Sequence, residues 1–405
     1  MKLKNILFQA CALAGGTIIL SSCNDFLDRE PLSSVTPEVY FSTTDHFEAY
    51  SIAKYNNWFS SHAGYGMGIG NGDGGTDNAV SGGYNSTLYE KGAWKVPQSG
   101  GGWSFNDIRY CNYFFENAVP KYEAGQVSGS AADIEHYIGE MHFMRAWIYF
   151  SYLRKFGDYP IITEVLPDDK AVLMEKSVRQ PRNLVARFIL EDLDKAISML
   201  KGWGFASNNR INKETALLVK SRVALYEATF EKYHKGTGRV PGDANWPGKK
   251  VHPNFTLDVD KEVDFFLTQA LEAAEQVADK VTLTQNTGVA DPETISTTSG
   301  WNPYFEMFSQ PSLKDVPEVL LWKEYNFDLG IKHNAIYRSR IGARSGYTRP
   351  FIESFLMKDG LPIYATGGQY QYKGDKTIDD VKTDRDLRLQ LFVWGESTLV
   401  FSDPD

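Results

Sequence analysis

Cysteine is nearly missing from this chain: of 405 residues, only Cys11, Cys23 and Cys111 carry a thiol. A cysteine-rich zinc site is excluded, and the seven histidines are too scattered to replace one. A basic block is missing as well. The formal charge is -9, and -11 once Lys2 and Lys4 are removed, which argues against a nucleic-acid partner. Beyond Leu20 no run reaches the roughly 18 apolar residues of a spanning helix, so a polytopic membrane protein is not expected. There is no Gly-x-Ser-x-Gly elbow or phosphate loop. Nothing marks one catalytic carboxylate pair among the 51 acidic residues. Aromatic residues are abundant: 9 Trp, 22 Tyr and 24 Phe make up 14% of the chain. Ring faces pack well on the apolar C–H faces of pyranoses, although core packing uses the same residues.

The N-terminus is the most informative stretch. Lys2 and Lys4 precede a nearly all-apolar or small run from Ile6 to Leu20, followed by Leu20-Ser21-Ser22-Cys23. That is a secretory signal over 1–22 with a lipobox at its cut site. The Cys23 thiol is the nucleophile that carries a diacylglycerol, and each buried acyl methylene contributes about 0.8 kcal/mol to anchoring. The alternative is an ordinary secreted protein cut nearby, with Cys23 incidental. In the lipoprotein reading Cys11 leaves with the signal and Cys111 stands alone, so no intrachain disulfide forms.

Apolar spacing predicts helices over Thr43 to about Ser60, from Trp103 through Phe115, over Ala131 to Phe156, Leu184 to Leu200, Lys213 to about Glu231, and about Val263 to Ala278. Asn212 is the expected N-cap of the fifth. Cys111 falls on a packing face and is expected to be a buried structural thiol. Between Gly64 and Gly75 seven glycines interrupt the chain, and a loop-like stretch runs from 61 to 102. Residues 235–256 and 281–348 hold further turn formers and a short β-like string, Val319-Leu320-Leu321-Trp322. These regions read as insertions on one helical domain, 23–405. Paired helices with small and aromatic positions suggest a degraded tetratricopeptide-like stack.

An ordered series of motifs runs along the chain. It begins with Cys23-Asn24-Asp25-Phe26-Leu27-Asp28-Arg29-Glu30-Pro31 and Thr36-Pro37-Glu38-Val39-Tyr40-Phe41. Thr76-Asp77-Asn78 follows, then Trp103 through Asn112 to Glu116. The strongest segment is Arg145-Ala146-Trp147-Ile148-Tyr149-Phe150, continuing to Leu153-Arg154-Lys155-Phe156-Gly157-Asp158-Tyr159-Pro160. Ala224-Leu225-Tyr226, Met357-Lys358-Asp359-Gly360 and Asp384-Arg385-Asp386-Leu387-Arg388-Leu389 complete it. The series resembles the RagB/SusD family of Bacteroidetes nutrient-binding lipoproteins. That resemblance implies a mostly α fold of tetratricopeptide-like helix pairs, with a variable, loop-rich ligand-binding portion and minor β structure. It also implies an outer-membrane lipoprotein facing outward, without catalytic activity, that delivers glycans or sometimes peptides to a TonB-dependent SusC-like transporter. Members usually continue well beyond the segment around Arg385, whereas this chain stops 16 residues after Leu389; a C-terminal portion is expected to be lacking.

Asp73, Asp77 and Asn78 in the glycine loop, Trp94, Trp246, Trp301, Tyr304, Tyr347 and Arg344 are the loop-borne candidates for ligand contact. No family motif transfers onto Arg344 or any of the aromatic ones. Asn71, Asp73, Gly75 and Asp77 alternate as calcium ligands do, but the closing glutamate of a twelve-residue calcium loop is missing, so bracing or ligand contact is the favoured role. No cofactor is expected. Arg145 and Arg154 are expected to pair with Asp158 at the end of the long helix. His136, Glu140 and His142 suggest a helical salt bridge or a solvated face, since no His-Glu-x-x-His arrangement exists. Two other readings stay open: an adhesin-like or structural lipoprotein without saccharide affinity, and a surface enzyme that cuts glycans.

Overall fold

The computed structural model describes residues 39–59, 61–62, 72–80, 87, 90–95, 98, 102–289, 301–335 and 346–398. Among them the chain is mostly helical, as expected. The major elements are α1 (Thr44–Ile52), α2 (Tyr55–Trp58), β1 (Ala79–Val80), α3 (Asn106–Asn117), α4 (Val119–Glu123), α5 (Ala131–Phe156), α6 (Lys170–Lys176), α7 (Arg182–Met199), α8 (Lys213–His234) and α9 (Val259–Ala278). Short elements follow: α10 (Pro303–Glu306), β2 (Gly346–Tyr347), α11 (Arg349–Ser354), α12 (Ile378–Lys382) and α13 (Leu387–Phe392). No helix among the described residues is long and apolar enough to cross a membrane.

α5 is the axis of the fold. Ser130 caps it by accepting from the Asp133 backbone N–H, and Gly157, at φ 71°, ends it. Its buried residues run from Ile134 to Leu153 and occupy more than one face, because α1, α3 and α7 all pack on it. α7 packs in turn on α8, and α8 on α9. Each helix therefore buries its stripe against its neighbours, as in a helical-repeat stack. The α5–α7 crossing is close because residue 139 is glycine: a Cβ there would meet Met199 Cβ at 3.1 Å and Leu200 Cγ at 3.2 Å. Cys111 is fully buried in this core, as expected, and burial pushes its thiol pKa upward.

The expected Arg145–Arg154–Asp158 grouping does not form. Arg145 instead clamps Asp192 on α7 through Nε (2.7 Å) and Nη2 (2.8 Å), and donates to Asn112 Oδ1 at 2.9 Å. Arg154 lies over the Phe150 ring. Asp158 accepts from the Arg182 backbone N–H and from Trp246 Nε1. The central face of α5 is buried, so its arginine takes the carboxylate that α7 brings to the same depth. His136 does form the one-turn pair with Glu140, 3.2 Å apart, but both are fully buried and not on a solvated face. His142 bonds Asp192 at 2.9 Å.

Two local expectations are corrected. The helix predicted from Thr43 to Ser60 is interrupted by a turn at Ala53–Lys54 and resumes as α2, where Tyr55 bonds Glu140 of α5. The Val319–Trp322 string forms no strand. Leu320 O accepts from Asn212 Nδ2 at 2.7 Å, and Trp322 N–H donates to Asn208 O, so side-chain and turn partners replace a neighbouring strand. Asn212 caps α8 as predicted, accepting from Thr215 N–H. Arg385 is fully buried and donates to Ile352 O, Phe355 O and Val381 O, which closes the ends of α11 and α12.

Candidate functional site

A cavity of about 510 Å³ opens where α2 faces the segment 321–331. Tyr55, Phe59, Leu321 and Trp322 give it an apolar floor. Asn56, Ser61, Asn209, Lys323 and Glu324 supply amide, hydroxyl and charged groups around that floor. Such a mixture of flat apolar surface and convergent polar groups is what a hydroxyl-rich ligand requires.

The floor is held from behind by a buried polar cluster. Tyr55 donates to Glu140 Oε1, and burial, followed by the Glu140 charge, drives the phenol pKa well up. Arg210 grips Glu140 through Nε (3.0 Å) and Nη2 (2.6 Å). Burial alone would raise the Glu140 pKa, but His136 and Arg210 outweigh it and hold the carboxyl below its ordinary value. His136 Nδ1 accepts from the Lys201 backbone N–H, which leaves Nε2 as the protonated nitrogen facing Glu140. On the other wall, Trp322 is buried and its Nε1 donates to Ser207 O at 2.8 Å. Lys323 spans both walls, donating to Asn56 Oδ1 at 3.0 Å and Ser61 Oγ at 3.1 Å.

The two insertions meet beside this cavity. The His62 backbone N–H donates to Tyr325 Oη, and the His62 and His333 rings lie 4.9 Å apart. Burial, then the nearby His62, lowers the His333 pKa. Asn326 pairs with Ile331 in a tight hairpin, whose Phe327 and Leu329 are exposed. Further along, β1 and β2 pair antiparallel, Ala79 opposite Tyr347 and Val80 opposite Gly346. Thr348 N–H donates to Asn78 O, and the Thr348 hydroxyl donates to Asp77 O. The glycine-rich insertion and the 325–348 region are thus fastened to each other at two places.

No family model and no curated protein matches the chain. Solved structures do. A SusD-like protein from Bacteroides fragilis matches with a TM-score of 0.56 at 20% identity, over 90% of this chain and 63% of that one. A SusD-like carbohydrate-binding protein from the same organism matches with a TM-score of 0.51 at 15% identity, over 87% of this chain and 59% of that one. The chain has the SusD-like fold. It spans about three-fifths of the length of these two relatives.

On this SusD-like fold the residues singled out in the sequence separate into groups. Asp77, Asn78 and Tyr347 come together at the β1–β2 pairing; Asp73 braces the same loop through its carbonyl, which accepts from Thr76. The Asp73, Asp77 and Tyr347 side chains are exposed there. Among the described residues no group of three His, Cys, Asp or Glu side chains is arranged to hold a metal. Trp94 is exposed. Trp246 is a correction to the expected loop platform: it is buried, and its indole N–H is spent on Asp158 at 2.8 Å. Trp301 and Tyr304 lie elsewhere, around α10. Trp301 packs on Phe305, and Tyr304 lines a second, more open cavity of about 800 Å³ with Met357, Lys358, Asp386 and Arg388. Cys23, Asn71 and Arg344 lie outside the described residues. Sequence reasoning missed Tyr55, Asn56, Phe59 and Lys323. The density of aromatic and amide residues in Tyr55-Asn56-Asn57-Trp58-Phe59 was the available signal, but it reads equally well as a helix face.

Proposed function

We propose that the chain is a non-catalytic surface lipoprotein that captures glycan where α2 meets the 321–331 segment and passes it to a SusC-like TonB-dependent transporter. The observation that carries the reading is the cavity between α2 and 321–331, where Tyr55 and Phe59 provide ring surface and Asn56, Asn209 and Lys323 provide hydrogen-bonding groups. The likeness in fold to a carbohydrate-binding relative and the motif series from Cys23 to Leu389 support it. Anchoring through Cys23, outward display on the outer membrane and hand-over to the transporter rest on the lipobox and on the family resemblance. Asp77, Asn78 and Tyr347 form the outer rim of the same ligand face in this reading, with Asp73 contributing from the adjoining loop and Trp94 from the same insertion; Arg344 is kept as a proposed ligand contact on its sequence alone. Trp301 and Tyr304 belong to a separate surface.

The deciding experiment is isothermal calorimetry of the mature chain without its lipid against plant, host and microbial glycans. Saturable binding with the polymer left uncut supports capture. New reducing ends point to an enzyme, and silence across a broad panel turns attention to peptides or a protein partner.

A further inference from the structure

Where α7, α8 and α9 meet, three glutamates face two arginines. Arg182 on α7 takes Glu227 on α8 in a two-pronged pair (2.8 and 2.7 Å), its guanidinium 3.3 Å from the Phe230 ring centre. Arg187 takes Glu262 on α9 likewise (2.8 and 2.6 Å), and Asn183 Nδ2 adds a third bond to Glu262 at 3.1 Å. The third acid, Glu231, lies one helical turn after Glu227. It is fully buried, and neither carboxyl oxygen receives a hydrogen bond. The charged groups acting on it are Arg182 and Arg187 from α7, Glu227 from α8 and Glu262 from α9, and both arginines are already engaged. A buried carboxylate without a donor is strongly disfavoured. A neutral carboxyl in the same place has an O–H to give, and two glutamates then balance two arginines.

We propose that Glu231 is a neutral carboxylic acid in the folded chain at neutral pH, and that its proton, donated to Glu227, fastens the junction of α7, α8 and α9. Burial first, then the Glu227 and Glu262 charges, push this carboxyl up to about 9. The junction also holds the 235–256 insertion. Arg182 N–H and Trp246 Nε1 donate to the two oxygens of Asp158, and Lys235 pairs with Asp260 on α9 at 2.7 Å. In the unfolded chain Glu231 ionises near its ordinary 4.5, so folding at neutral pH takes up one proton from solvent. A raised folded value means the stabilisation is complete below 4.5 and falls as pH rises towards about 9, by about tenfold in folding constant per pH unit.

The test compares urea unfolding of the full chain with that of Glu231→Gln at several pH values between about 5 and 9. The amide supplies a donor without a titrating proton, so the variant should lose this slope and become the more stable form at the alkaline end. An unchanged slope would overturn the proposal. A second readout on the wild type, proton uptake during refolding measured calorimetrically in buffers of different ionisation heat, serves if the variant does not fold. Absence of that uptake sinks the idea. Stability that tracks added potassium or calcium at fixed pH also sinks it, since a cation would then occupy the proton's place.

Discussion

Glu140 and Arg210 sit directly behind the cavity floor, and each depends on the other. Arg210→Met would leave Glu140 buried without its main partner, while the Tyr55 phenol still faces it. Removing one member of a buried pair costs about 3–5 kcal/mol, so the midpoint of urea unfolding should drop sharply. The sign of the pH effect follows from the lowered Glu140 pKa. A depressed carboxylate stabilises the fold above its ordinary 4.5 and loses that contribution as pH falls through its folded value, so Arg210→Met should flatten the acid limb of the stability profile. Lys323 differs: it is exposed, and its bonds are to neutral Asn56 and Ser61. Lys323→Ala should leave the melting temperature nearly unchanged and weaken glycan binding by about tenfold, or about 1.4 kcal/mol. Unaltered affinity in calorimetry would remove this lysine from the site.

At the scale of elements, the α5–α7 crossing is set by an absent side chain. Gly139→Val would place a branched Cβ against Met199 and Leu200, and overpacking of this kind costs about 1–3 kcal/mol. The loss should show as a lower thermal midpoint, whereas Gly202→Ala, where an added Cβ meets only Glu214 Oε2 at 3.8 Å, should cost less. Long helices were the legible part of this sequence. Their boundaries follow from caps and stops such as Ser130, Gly157 and Asn212, and their burial from periodic stripes. The break at Ala53–Lys54 was not legible, because the partner that Tyr55 of α2 takes, Glu140, lies 85 residues away. The Val319–Trp322 string misled for the same reason: its partners, Asn208 and Asn212, lie more than 100 positions back. Local pattern reports a residue's tendency, and a distant cap or turn decides its conformation.

For the molecule as a whole, the helical stack acts as a frame, and the proposed ligand face lies where α2 and two insertions distant in sequence come together. Asp77, Asn78 and Tyr347 were each visible as loop polar or aromatic residues, yet nothing in the sequence showed that a two-stranded pairing and the bonds from Thr348 bring them together. Trp246 has the same loop context and is buried, so type and context alone did not separate bracing from display. If the two insertions form one binding face, a bound glycan should slow amide hydrogen exchange in 72–80, 321–333 and 346–348 together. Exchange in the cores of α5, α7 and α8 should stay as it was, since those helices carry the frame's own hydrogen bonds. Exchange mass spectrometry with saturating ligand resolves the segments. Protection confined instead to Tyr304 and the 357–388 stretch would move the site to the wider second cavity, and protection along the outer faces of α8 and α9 would indicate contact with the stack and not with the insertions.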